Sequence, residues 1–243
     1  MIRFRLVPVP VLVLALAAVA APAVAADRTI GIGSFDRLRV DGPFDVRVTG
    51  GASPSARLTG EREAIDAVEL RVEGGTLIVR AGVNGWGERP GGRAAADGPI
   101  VVTLGTPALS AATANGGARV AVTRMRGDRV ALSVTGAGRL SVDAVAATDL
   151  NATLIGAGAI AVGGRAVRAR LVANGEGAID ADRLDAGDAL VRLEGMGAIK
   201  ARVRYTAQVS NPGLGSIDVA GPATCVVRGP AAGPIRCQGP RGN

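Results

Sequence analysis

The stretch SVTGAGRLSV, residues 133–142, holds two glycines one residue apart between two short runs of alternating apolar and polar residues. Leu132 and Val134 lead up to Gly136, and Leu140 and Val142 follow Gly138. Alternation with a period of two is typical of strands with one buried face, not of helices. The stretch therefore predicts two strand segments joined by a glycine corner.

Six copies of this unit follow one another along the chain. They are NGGARVAV (115–122), TGAGRLSV (135–142), IGAGAIAV (155–162), NGEGAIDA (174–181), EGMGAIKA (194–201) and PGLGSIDV (212–219). A unit with one apolar face cannot bury that face alone, whereas stacked units bury it against one another. We therefore predict an all-β fold, a parallel β-solenoid with about 20 residues per coil, in which each strand pairs with its equivalents about 4.8 Å above and below.

Equivalent positions of stacked coils should form columns. The column four residues after the first glycine is aliphatic throughout and should be interior: Val120, Leu140, Ile160, Ile179, Ile199 and Ile217. The next position points outward and should carry an exposed charge ladder of Asp180, Lys200 and Asp218. Cross-strand pairs of opposite charge contribute about 0.2–1 kcal/mol each, so we interpret this ladder as a solvated surface feature and not as an active site.

The repeated glycines are interpreted as structural corners, where a side chain would collide with the wall or force an unfavourable φ. A phosphate-binding loop would need a helix directly after the glycines, and here a strand follows. A calcium-binding nonapeptide solenoid would need a shorter period and a fixed Asp. No cofactor, metal or catalytic residue is therefore predicted at these positions: Gly116, Gly136, Gly138, Gly156, Gly158, Gly175, Gly177, Gly195, Gly197, Gly213 and Gly215.

The region before the repeat predicts a different arrangement. Strands are expected in FDRLRV (35–40), GPFDVRV (42–48) and SARLTG (55–60), a helical turn in EREAIDAV (61–68) and a hairpin in ELRVEGGTLIVR (69–80). Residues 81–98 are rich in glycine and predict an exposed loop around Trp86, whose role stays open. We expect one domain over 27–220, with N-terminal strands in 34–104 and the six coils in 112–220.

The first 26 residues predict a secretory signal peptide. MIRFR carries two arginines, an apolar run follows, and APAVAA supplies the small residues of a cleavage site. A membrane anchor is disfavoured because the run is short and interrupted by prolines. The expected location is the periplasm or the exterior of a bacterium, and no later stretch predicts a transmembrane segment.

Cys225 and Cys237 are the only cysteines of the chain. In an oxidising compartment they predict a disulfide that closes a C-terminal tail, residues 221–243. Two cysteines with no histidine in the chain are a poor ligand set for a metal.

The formal net charge of +7 becomes +5 once Arg3 and Arg5 leave with the signal peptide. This charge is compatible with anionic surfaces or glycans. Proteins that bind single-stranded nucleic acid need aromatic platforms, and beyond residue 26 the chain has only Phe35, Phe44, Trp86 and Tyr205. We therefore expect no nucleic-acid partner.

FDRLRVDGPFDVRV near the predicted mature start, ELRVEGGTLIVR and the tandem SVTGAGRLSV and LIGAGAIAV units together resemble the bacterial head GIN domain. That family is labelled an auto-transporter adhesin and was formerly a domain of unknown function. The resemblance covers roughly residues 34–220. It implies a right-handed parallel β-helix on an exported protein and supplies no catalytic residues.

Three functions follow as hypotheses. The favoured one is a non-catalytic exported module with a structural or adhesive role at the cell envelope. The second is a binder of anionic glycans or lipid headgroups through Arg119 and Arg139, which share an outward column. The third is an enzyme acting on acidic polysaccharide, with carboxylates on neighbouring coils drawn from Glu176, Asp180, Asp182, Asp185, Asp188 and Glu194. Self-association through exposed strand edges stays open.

Overall fold

A computed structural model describes residues 26–82 and 100–239. Strands make up 71% of it and helix 3%, and the strands form parallel coils of about 20 residues stacked in about six turns. The predicted β-solenoid is thus confirmed. Residues 1–25 of the expected signal peptide and most of the expected Gly-rich loop, with Trp86, lie outside the described residues.

The N-terminal part contains eight strands and one short helix. The expected strands, helical turn and hairpin are all present. The elements are β1 (Ala26–Ile30), β2 (Arg37–Asp41), β3 (Asp45–Gly50), β4 (Ser55–Gly60), α1 (Arg62–Asp66), β5 (Val68–Glu73), β6 (Thr76–Ala81), β7 (Val101–Thr106) and β8 (Ala111–Asn115).

The repeated units form long bent strands that run from one glycine corner to the next. Each pairs in parallel with the strand of the next coil, so that Leu140 lies between Val120 and Ile160. The strands are β9 (Arg119–Thr135), β10 (Arg139–Ile155), β11 (Ala159–Gly175), β12 (Ala178–Gly195), β13 (Ala198–Ser210), β14 (Ser216–Ala220), β15 (Thr224–Val227) and β16 (Ile235–Cys237).

Each complete coil has three faces. In β10 the alternation of buried and exposed side chains breaks at Asp143–Ala144 and again at Ala147–Asp149. These breaks divide the strand into a first face (139–142), a second face (145–147) and a third face (149–155), and the glycine corner leads to the next coil. The sequence predicts only the first and third faces, because the second is too short and alanine-rich to show a period.

The interior is a continuous aliphatic core. The column from Val120 to Ile217 is buried throughout, with each side chain at most 2% exposed. In register it continues to Val46 on β3 and to Ile235 on β16. Burying an aliphatic side chain of this size contributes roughly 1.5–3 kcal/mol, so the column is a major source of stability.

The two glycines of a corner are required for different reasons. The first has a positive φ, +92° at Gly136 and +112° at Gly156, which side-chain-bearing residues rarely adopt. The second has no positive φ, but a Cβ on Gly138 would lie 3.0 Å from the carbonyl oxygen of Ala118 in the preceding coil. Gly116, Gly175 and Gly195 also have positive φ, whereas Gly213 does not. At Gly158, Gly177, Gly197 and Gly215 a Cβ would again meet a carbonyl oxygen of the preceding coil.

Stacking continues past residue 220, where the sequence analysis places a separate tail. β15 pairs in parallel with β13 and completes the coil that begins with β14, whereas β16 pairs in parallel with β14 and begins a further, partial coil. Cys225 and Cys237 form the expected disulfide. It links the third-face strand β15 of one coil to the first-face strand β16 of the next, because Cys225 is in register with Ala207 and Cys237 with Val219.

The N-terminal end of the stack is covered by antiparallel strands. On the first face β4 pairs with β7, and β1 pairs with β4. On the third face the β5–β6 hairpin adds to β2. Within the described ranges 26–82 and 100–239, no helix is long and apolar enough to cross a membrane.

Candidate functional site

A groove of about 480 Å³ lies on the third face and crosses coils β9 to β13. Two outward columns line it, with small and aliphatic side chains at its base. We call it the third-face groove. The columns consist of Arg129, Asp149, Arg168, Asp188 and Thr206, and of Asn151, Arg170, Leu190 and Gln208.

The first column alternates in charge from coil to coil. Arg168 binds Asp149 in a two-pronged pair, with Nε to Oδ1 at 2.6 Å and Nη2 to Oδ2 at 2.9 Å. The hydrogen bond from Arg168 lowers the pKa of Asp149, and the charges of Arg168 and Arg129 act in the same direction. The carboxylate of Asp149 therefore stays ionised, which suits ion pairing and not proton donation.

We expect the Arg168→Gln variant to raise the pKa of Asp149 toward the ordinary value of about 3.9. Because folding lowers the pKa of Asp149, the pair stabilises the fold at pH values above the ordinary pKa. This stabilisation is lost as the pH falls through the folded-state pKa. The pH dependence of unfolding below about pH 4 should therefore be weaker in the variant. A carbon-13 NMR titration of the Asp149 carboxyl measures the shift, and an unchanged pKa would contradict the ion pair.

The second column offers hydrogen-bonding groups with no strong net charge. Asn151 and Gln208 present amides at the two ends of the column. Arg170, which lies between Asn151 and Leu190, is exposed. Within the described part of the chain, Arg170 has no carboxylate within 4.0 Å. No carboxylate on its own coil or on the two adjacent coils pairs with the guanidinium of Arg170, so this group is available to an anion.

The predicted ladder of Asp180, Lys200 and Asp218 lies on the first face. The three residues are in register on consecutive coils, with Asp180 and Lys200 exposed and Asp218 half-buried. Among the residues described, none of the ion pairs within 4.0 Å joins Lys200 to either carboxylate. Asp180 instead accepts a hydrogen bond from the backbone of Asp182 at 3.1 Å, and Asp218 faces Arg236 at 3.9 Å.

Arg119 and Arg139 are also on the first face. They are exposed and directly opposite each other on adjacent strands. Asp45 lies on the other side of Arg119 in register, and its near ion-pair partner is Arg47 at 3.6 Å. The two arginines are thus neighbours, but they are on a different face from the groove.

The six carboxylates considered for catalysis surround a single coil. Asp180 lies on its first face, Asp185 on its second and Asp188 on its third, while Glu176 and Glu194 lie near its glycine corners. The expectation that they lie on neighbouring coils is wrong, because residues 176–194 complete one turn. Three of the six pair with arginines: Asp182 with Arg202, Asp185 with Arg204 and Glu194 with Arg192.

Metal-binding side chains do not cluster in the described ranges: no group of three His, Cys, Asp or Glu residues could hold an ion there. The third-face columns were not identified from the sequence. The signal was present as charges that recur at intervals of 19 or 20 residues: Arg129, Asp149, Arg168 and Asp188.

The stacked coils and the open groove lined by charged and polar side chains define a β-solenoid protein with an extended exposed face. The chain belongs to the head GIN domain family, described as "putative auto-transporter adhesin, head GIN domain", whose model matches residues 34–223. The resemblance seen in the sequence is confirmed.

Solved structures share the fold. One described as a putative adhesin from Bacteroides fragilis has a TM-score of 0.79 at 18% identity and covers 88% of this chain and 96% of its own. A putative adhesin from Parabacteroides merdae has a TM-score of 0.67 at 17% identity, covering 88% and 95%. A putative lipid binding protein from Parabacteroides distasonis has a TM-score of 0.64 at 17% identity, covering 88% and 96%. No curated protein matches the sequence.

Proposed function

We propose that this chain is an exported, non-catalytic binding module that works by adhesion at the cell envelope, with the third-face groove as its contact surface. The observation that carries the proposal is the groove itself, which presents equivalent polar positions on successive coils. The family description and the relatives described as adhesins support a binding role.

The geometry favours an extended, anionic ligand. Equivalent residues of adjacent coils are about 4.8 Å apart, so a linear polymer lying along the stack can contact side chains of the same two columns on each coil. Arg129, Arg168 and Arg170 outnumber Asp149 and Asp188, which leaves the groove with a net positive charge. Many weak, repeated contacts sum to adhesion without any deep cavity.

The enzymatic alternative has less support. A glycosidase places two carboxyl groups on either side of one bond, and one of them needs a raised pKa to donate a proton. The candidate carboxylates point away from different sides of one coil, and three of the six pair with arginines.

Export rests on two features. The first 26 residues have the pattern of a signal peptide, and a disulfide between Cys225 and Cys237 persists in oxidising compartments outside the cytoplasm.

The test uses purified residues 27–243 on immobilised polygalacturonate, alginate and neutral dextran, and on vesicles with anionic headgroups. We expect binding to the acidic polymers that weakens with salt. Arg170→Ala should weaken it about fivefold, since a charge-assisted contact is lost, and Arg62→Ala on α1 should have no effect. Equal binding to dextran, or release of new reducing ends from the polymer, would contradict the proposal. Loss of binding only in the Arg119→Ala, Arg139→Ala double variant would move the contact to the first face.

A further inference from the structure

Tyr205 is the only tyrosine of the chain and is 64% exposed on the second face. Phe35 and Phe44 are buried, so Tyr205 is the one exposed aromatic side chain among residues 26–82 and 100–239. A large ring left in water contributes little to folding, and exposed aromatic rings are favoured where a ligand packs.

A notch lies beside this ring. Gly187 on the neighbouring coil leaves bare backbone there, and a Cβ at this position would lie 2.6 Å from the carbonyl oxygen of Val167 and 3.6 Å from Cδ2 of Tyr205. Val167, 57% exposed on the coil beyond, forms the opposite wall, and Ala146 and Ala147 extend the floor. The space is about 430 Å³, within the range of about 300–1,000 Å³ of small-molecule sites. We call it the second-face notch.

The charges at the notch favour an anion. Arg165 and Arg204 line it. Arg204 Nε lies 2.7 Å from Asp185 Oδ1, and this carboxylate also follows Arg165 in register on the next coil. Within the part of the chain that the structure describes, Arg165 has no carboxylate within 4.0 Å. The two arginines and the one aspartate give a net charge of +1 beside the ring of Tyr205.

We propose that the second-face notch binds a single uronic acid residue of an acidic glycan. The apolar face of the pyranose ring packs on Tyr205, and its carboxylate accepts paired hydrogen bonds from the guanidinium of Arg165. The sugar lies over the bare backbone of Gly187, between the side chains of Val167 and Tyr205. An aromatic wall with an adjacent free guanidinium matches a ligand that is apolar on one face and anionic at one edge.

The notch adjoins the third-face groove. Val167, Gly187 and Tyr205 directly precede Arg168, Asp188 and Thr206, which line the groove on the same three coils. A glycan bound in the notch therefore continues into the groove. The inference rests on the proposed function, since it names the ligand class that the same surface takes.

The single tyrosine provides a direct reporter. Residues 27–243, labelled at tyrosine ring carbons, give NMR signals from Tyr205 alone, which are followed while galacturonic acid trisaccharide or its methyl ester is added. We expect saturable shifts of the ring signals, with the free acid binding at least about fivefold more tightly than the ester because only the acid has a charge for Arg165.

Variants separate stacking from charge. Tyr205→Ala should weaken binding of the acid about tenfold, whereas Tyr205→Phe should stay within about twofold because the ring is kept. Arg165→Ala should make acid and ester bind equally. Arg62→Ala, which removes the same charge from α1, should change nothing.

The outcomes distinguish the two proposals. If the acidic polymers bind and Arg170→Ala weakens this binding, but the Tyr205 signals do not move, the notch proposal fails and the proposed function stands. If no acidic polymer or trisaccharide binds, both fail. If Tyr205→Ala changes only a monomer–dimer equilibrium in sedimentation, a second copy of the chain covers the notch and the inference is wrong.

Discussion

Replacing Ile199 with alanine should lower the free energy of unfolding by about 2–5 kcal/mol. Ile199 is fully buried and lies in register between Ile179 and Ile217. Its loss removes apolar burial and leaves a cavity that the coils above and below cannot fill, because their backbones are fixed by parallel hydrogen bonds. Urea denaturation of the wild type and the variant measures the difference.

Lys200→Ala is the matched control, one residue along the same strand. Lys200 is exposed, and no ion pair within 4.0 Å connects it to Asp180 or Asp218 in the described structure. We expect a change of about 0.5 kcal/mol or less. A larger loss for Lys200→Ala than for Ile199→Ala would mean that the interior and exterior columns have been interchanged.

Gly158→Ala should destabilise the protein by about 3 kcal/mol. A methyl group there would meet the carbonyl oxygen of Gly138 in the preceding coil and lie 2.8 Å from Cγ1 of Val134. The carbonyl oxygen belongs to the backbone, so it can move away only if the two coils separate. Hydrogen exchange should show faster exchange in β10 and β11 than in the N-terminal strands.

The control is Gly60→Ala, at the end of β4. A Cβ there would make ordinary contacts, the nearest at 3.7 Å to Cα of Ile100, and its φ is not positive. The new side chain should be tolerated with a change under about 1 kcal/mol. Equal tolerance of alanine at Gly158 and Gly60 would show that the corners are not closely stacked.

Much of the fold follows from the sequence because the chain repeats, and equivalent positions of successive repeats stack as neighbours in one column. Ile160 and Ile179 are predictable as neighbours since they occupy the same place in successive units, and the structure pairs them. The last coil escaped prediction because its corner reads Gly233-Pro234 in place of a GxG unit. Ile235 and Cys237 nevertheless fall where Ile217 and Val219 lie in the preceding coil.

The candidate sites were harder to predict for a physical reason. The number of residues in the bends between faces varies from coil to coil, and register shifts occur there in β10, β11 and β12. Columns beyond the first face therefore cannot be aligned by counting from the glycine. Tyr205 and Gly187 have no shared sequence pattern, and only the stacking of β12 and β13 brings them together.

The central claim is that residues one coil apart are side by side on the third face. The most direct measurement is disulfide formation in two double-cysteine variants, detected by mass spectrometry of unreduced peptides. Asn151→Cys with Arg170→Cys joins in-register partners, so the account predicts a bond between these cysteines. Asn151→Cys with Val172→Cys is two residues out of register, beyond the Cα separation of about 7 Å that a disulfide spans, and should stay reduced. A bond in the second pair and none in the first would contradict the stacking, and with it the groove.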